Sequence, residues 1–132
     1  MNARKTDEHG SISGFVVILT MTFVACAGLA IDGGRMLTMR TQLADSAENA
    51  ARAGAQEVTS LRSGNPELNV AAATQVAEEY LSNFKISGVV NADLNQAAVT
   101  TNAKVKMTLL GLFGVNNKYI TVTRTAQPFT NP

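Results

Sequence analysis

Few side chains in this sequence are equipped for reaction chemistry, and none stands where a partner could complete it. The one histidine, His9, and the one cysteine, Cys26, lack neighbours at metal-ligand or acid–base spacing. A lone thiol excludes an intramolecular disulfide. "GLFG", Gly111 to Gly114, lacks the lysine and the following helix of a phosphate-binding loop. The chain therefore reads as a non-enzyme, with no metal, cofactor or small-molecule substrate expected. A net charge of +1, without a basic stripe or aromatic platform, also argues against nucleic acid. What remains is electrostatic. Asp32 and Arg35, in "AIDGGR", stand at i and i+3 and share a face if the segment is helical. They follow an uncharged stretch, where they can pair or reach toward a polar boundary.

The elements that must hold this pair begin with that stretch. Ser11 to Ile31, "SISGFVVILTMTFVACAGLAI", carries no charge over 21 residues. As a helix it would be ~31 Å long, one bilayer crossing. A helix in a small soluble core would have a polar face, and this one offers only Ser11, Ser13, Thr20 and Thr22. Basic residues flank both ends, Arg4 and Lys5 against Arg35 and Arg40, so charge leaves the orientation undecided. A short head and a hundred-residue body favour an inside head and an exported body.

Every fourth residue from Thr22 gives Thr22, Cys26, Ala30 and Gly34, a column of small side chains that predicts a helix-packing face. Gly33-Gly34 weakens the helix by about 1 kcal/mol per glycine relative to alanine and marks a soft joint or a close-packing point. From Met36 to Arg62 the helical period returns, with Leu43, Ala47, Ala50, Gly54, Val58 and Leu61 on one narrow stripe. Ala47, Ala50 and Gly54 make this an Ala-rich helix that needs a partner surface. Glu48 and Arg52 are ordered for an i,i+4 pair.

Ser63-Gly64-Asn65-Pro66 ends the helix. A second helix is expected from Asn69, as N-cap, to Phe84, and "ISGVVNADLNQ" reads as loop or weak edge element. "KVKMTL" and "YITVTRTA" alternate with period two and predict strands, and a short strand at Ala97 to Thr101 would pair with the first. Leu110, Leu112 and Phe113 between them read as minor core or as a protein-contact knob. The fold class is therefore α+β: a long transmembrane-to-exported helix, a second helix and a small C-terminal antiparallel sheet. Its segments are a charged head at 1–10, the span at 11–31, the exported helix at 32–63, and the helix plus sheet at 64–132.

The order of a head ending in "EHGS", a run closing on "AGLAIDGGR", then "AENAARAGAQ" and "LLGLFGV…YITVTRTAQP" resembles the TadE/TadG-like proteins of the tight-adherence (Flp) pilus assembly machinery, in their short actinobacterial form. The resemblance implies a single-pass, pseudopilin-like or minor-pilin subunit with a pilin-like architecture. Its head would be cytoplasmic and its body exported, in the cytoplasmic membrane or incorporated into a surface pilus. By it, Asp32, Gly33, Gly34 and Arg35 occupy the family's membrane-exit motif, and Ala50 to Gln56 its packed helix. The implied partners are the major pilin, other minor pilins, the membrane platform and an assembly ATPase, with the lipid bilayer around the anchor. A processing site after Gly10 suits the charged leader, although Phe15 stands where pilin-like substrates usually carry Glu. Cleavage at "ACA", Ala25 to Ala27, and acylation of Cys26 are the other processing readings. The rival function is a membrane-anchored exported binding module unrelated to pili.

Overall fold

A computed structural model describes residues 9–59 and 66–128. The first ten residues' role as a head, the stretch at 60–65 and the last four residues lie outside or largely outside that description. Helix α1 (His9–Ala55) runs unbroken for 47 residues, ~70 Å at 1.5 Å per residue, through Gly33 and Gly34 without a joint. It is followed by a two-residue ladder of β1 (Val58–Thr59) and β2 (Glu67–Leu68), then α2 (Val70–Asn83), and an antiparallel sheet of β3 (Ser87–Ala92), β4 (Ala97–Lys106) and β5 (Asn117–Ala126) in that order. This is the expected α+β architecture.

The two halves of α1 have different surroundings. From Ile12 to Ala27 every position is exposed except half-buried Ala25, and the helix is long and apolar enough to cross a membrane. At Gly28 burial begins. Gly28, Asp32, Met36, Met39, Leu43, Ala47, Ala50 and Gly54 are buried or half-buried at spacings of three and four, the face of a helix lying on a sheet.

Two clusters fill the space behind that face. Ala47, Ala50 and Ala51 pack with Ala77 and Leu81 of α2 and with Val90 and Val99 of the sheet. Leu43 packs with Val105, Met107, Ile120 and Val122, with Met36, Met39 and Leu110 at the margin. Between the clusters lies Thr101, fully buried, whose hydroxyl donates to the Leu43 carbonyl at 3.0 Å. A buried hydroxyl without that acceptor would be costly.

The chain departs from expectation in two places and decides between two readings in a third. The helical period suggested α1 would reach Arg62, but the helix stops at Ala55, and β-branched Val58 and Thr59 pair with Leu68 and Glu67 instead. Ala97 to Thr101 and Lys104 to Lys106 do not pair with each other. They are one strand, buried at alternate positions from Ala97 to Met107, with β3 on one side and β5 on the other. And "SGVVNA" is a true edge strand, Ser87 to Ala92, joined to β4 by a turn in which the Asp93 carboxylate accepts from the Asn95 and Gln96 amides. Helix α2 starts one residue after Asn69, whose side chain accepts from the Ala72 amide, and ends before Phe84.

Candidate functional site: a carboxylate clamp at the end of the apolar run

Strand β4 runs antiparallel to α1, so its last residues descend toward the apolar half of the helix. Thr101 sits beside Leu43, and Thr108 arrives beside Asp32. There the chain turns through a short 3-10 helix (Leu110–Phe113), closed by Gly114 in the left-handed region at φ 89°, and returns as β5. A left-handed φ is open to glycine at no steric cost.

The Asp32 side chain, 1% exposed, is the centre of this junction. Its carboxylate accepts from three consecutive backbone amides, those of Thr108 at 3.1 Å, Leu109 at 2.9 Å and Leu110 at 2.8 Å. These are the orphan donors at the start of the 3-10 turn, which has no capping side chain of its own. An acid from a different element, 76 residues earlier, supplies the cap. The Leu110 amide above all, then those of Thr108 and Leu109 and the charge of Arg35, hold the carboxyl below its usual value, while burial acts the other way.

Arg35 strengthens the clamp from the next turn of the helix. Its Nη1 donates to the Thr108 hydroxyl at 2.6 Å, so acid and base grip the same residue just beyond β4, one by its backbone and one by its side chain. Gly28, one turn before Asp32, gives the turn its room. A Cβ at Gly28 would stand 3.1 Å from the Leu109 Cβ, tighter than ordinary contact.

Of the remaining residues singled out in the sequence, Gly33 is half-buried and Gly34 exposed, and a Cβ at either would meet nothing within 4 Å. Thr22, Cys26, Ala30 and Gly34 are all exposed, on a face that the chain does not cover. At 100° per residue, Ala30 lies about 160° round the helix from Gly28, so the small column points away from the protein's own sheet. Ala47 and Ala50 are fully buried, and Gly54 lies against α2, where a Cβ would be 2.8 Å from the Ala73 carbonyl oxygen. Glu48 and Arg52 form the i,i+4 ion pair. Of Gly10 only its place in α1 is described.

The sequence marked Asp32 but not its partners, which are backbone amides and leave no side-chain signature. Gly28 did leave one. The stripe that starts at Leu43 extends backward in steps of 4, 3, 4 and 4 through Met39, Met36 and Asp32 to Gly28.

Among the described residues no group of three or more His, Cys, Asp and Glu side chains comes together as a metal site. The clamp binds the molecule to itself: its chemistry is structural, joining a small head to the end of an apolar helix. Residues 10–57 match the family described as "Putative Flp pilus-assembly TadE/G-like". The matched segment is helix α1 with its first following residues, so it contains Asp32 and Arg35 but not the sheet they hold. No curated protein and no solved structure matches the chain.

Proposed function

We propose that the protein is a non-catalytic assembly subunit of a tight-adherence (Flp) type pilus, a minor pilin or pseudopilin held in the cytoplasmic membrane by residues 11–31, with the charged segment at 1–10 cytoplasmic and its body, the globular head that α2 and the sheet form on the second half of α1, exported. The observation that carries the reading is the coincidence of the family match at residues 10–57 with α1, a helix bare over its first half and clasped by the head over its second. Such a subunit works through the helix face its own head leaves open. Here that face carries Thr22, Cys26, Ala30 and Gly34, small enough to let a second helix approach closely in lipid. The hydroxyls of Thr20 and Thr22 donate to the Val16 and Ile18 carbonyls, which removes the cost of placing them there.

The partners on this reading are the major pilin, other minor pilins and the membrane platform of the machinery. The test is deletion of the gene and complementation with the full chain, scored by surface pili. Pili lost on deletion and restored by the wild-type chain are expected. Unchanged piliation would overturn the reading in favour of an exported binding module on a membrane anchor.

A further inference from the structure

We propose that the turn between β4 and β5, with Leu112 and Phe113 at its tip, is immersed in the lipid leaflet on the head's side of the membrane, and that the basic residues behind it rest on anionic lipid headgroups. The proposal depends on residues 11–31 being a bilayer span, and the experiment below separates the two.

Depth is the first argument. The turn touches α1 at Gly28, against Leu109 and Leu110, three residues inside the apolar run and about 4.5 Å below its end at Ile31. The span is about as long as the hydrocarbon core is thick, so a turn held at this level stands in the outer part of that core. Leu112 is 76% exposed, Phe113 51% and Val115 37%, and on the helix Leu29 and Ile31 are exposed at the same level. The apolar surface of the span thus continues onto the head.

Non-helical backbone at such a depth must satisfy its own polar groups. This turn does. The amides of Thr108, Leu109 and Leu110 donate to Asp32, that of Met107 to the Asn116 carbonyl, Leu112 to Leu109, Gly114 to Gly111 and Val115 to Leu110. The burial of Asp32 at the end of an apolar run is then explained: it removes from lipid three donors that water could not reach.

Charge gives an independent argument. Immediately beyond the turn, Arg35, Arg40, Lys104, Lys106 and Lys118 are exposed, and Tyr119, 75% exposed, lies under Lys104. The next carboxylate along α1 after the buried Asp32 is Asp45, about 20 Å further out. In the distal part of the head Glu48, Glu57, Glu67, Glu78, Glu79 and Asp93 outnumber Arg52, Lys85 and Arg124. Cations and a tyrosine between an apolar tip and an acidic far end match the layers of an anionic bilayer surface. A protein partner for the tip would require neither that layering nor a self-satisfied backbone.

The chain has no tryptophan, so one introduced residue reports its own surroundings. The full chain is reconstituted into vesicles of phosphatidylcholine and phosphatidylglycerol as Phe113→Trp, with Val24→Trp as a probe of the span and Val89→Trp, on the edge strand, as a probe of the solvent-facing head. Fluorescence is quenched by brominated lipid or by iodide on both sides of the membrane. Phe113→Trp is expected to follow Val24→Trp, quenched by brominated lipid and spared by iodide, with Val89→Trp the reverse. If Val24→Trp is quenched by lipid while Phe113→Trp is quenched by iodide, or shielded from both by a second copy, the anchor stands and the immersed turn falls. If Val24→Trp itself responds to iodide, the span is wrong and the proposal falls with it.

Discussion

At residue scale the molecule turns on one carboxylate. Asp32→Asn keeps the size of the side chain but removes the charge and replaces one acceptor by a donor facing backbone amides, so the Thr108 to Leu110 segment should lose its hold. Hydrogen exchange at those three amides is the measurement, and protection equal to the wild type would show that the turn is held by packing alone. The same carboxylate sets a pH response. Its pKa is held below the ordinary carboxylate value in the folded chain, chiefly by the Leu110 amide. Its contribution is therefore complete above the unfolded value, near pH 4, and is lost as pH falls through the lower, folded value. Acid unfolding of the wild type below pH 4 should be steeper than that of Asp32→Asn, and superimposable acid limbs would refute the linkage. Gly54→Ala places a Cβ 2.8 Å from the Ala73 carbonyl oxygen. Backbone cannot yield as a side-chain tip can, and a cost of about 1–3 kcal/mol is expected, read as a lowered thermal midpoint. A midpoint at or above the wild type's would mean that α2 shifts freely.

At element scale α1 has two opposite faces with separate duties, and substitutions should respect the division. Ala30→Leu and Gly34→Leu add bulk at exposed positions, Gly34 at the rim of a groove whose far side is Lys104 to Lys106 and where a Cβ meets nothing within 4 Å, so folding of the head should be unaffected. If the small column packs on another subunit, both should abolish a disulfide from Cys26 to a cysteine placed in the major pilin, while Val24→Leu leaves it intact. Identical crosslinking in all three would reduce the column to background composition. Much of this layer was legible in the sequence because period and capping are local. Asn69 announces α2, and the alternation in "KVKMTL" and from Tyr119 to Ala126 announces strands, although β4 ends at Lys106 and Met107 to Leu109 lie beyond it. The failures have one physical origin. Where β4 continues through Asn102 and Ala103, and where α1 yields to β1 at Val58, the outcome is decided by strands far away in sequence, and no local period records them. The clamp was hidden for the same reason: Asp32 and Thr108 meet only after the sheet has formed.

At the scale of the whole molecule the reading is a topological one, and it has a direct check. A reporter that is active only when exported, fused after Pro132, should be active, and activity confined to the cytoplasm would reverse the orientation. The intact mass of the membrane-extracted chain decides the fate of the charged N-terminal segment: loss of the first ten residues means processing at Gly10, and a lipid adduct on Cys26 replaces the span with an acyl anchor.

The antiparallel course of β4 along α1, tied at Leu43 and again at Asp32, has a mechanical meaning. A force that draws the apolar half of α1 along its axis while the head is held elsewhere loads that seam in shear. The side-chain contacts and both ties resist together instead of parting one after another. In single-molecule pulling, handles at Thr20 and Ala126 should give one abrupt rupture, and a gradual, stepwise yield would show that the seam peels. If residues 11–31 are the span proposed above, a subunit built this way would keep its head packed on α1 while being hauled from a bilayer by that helix.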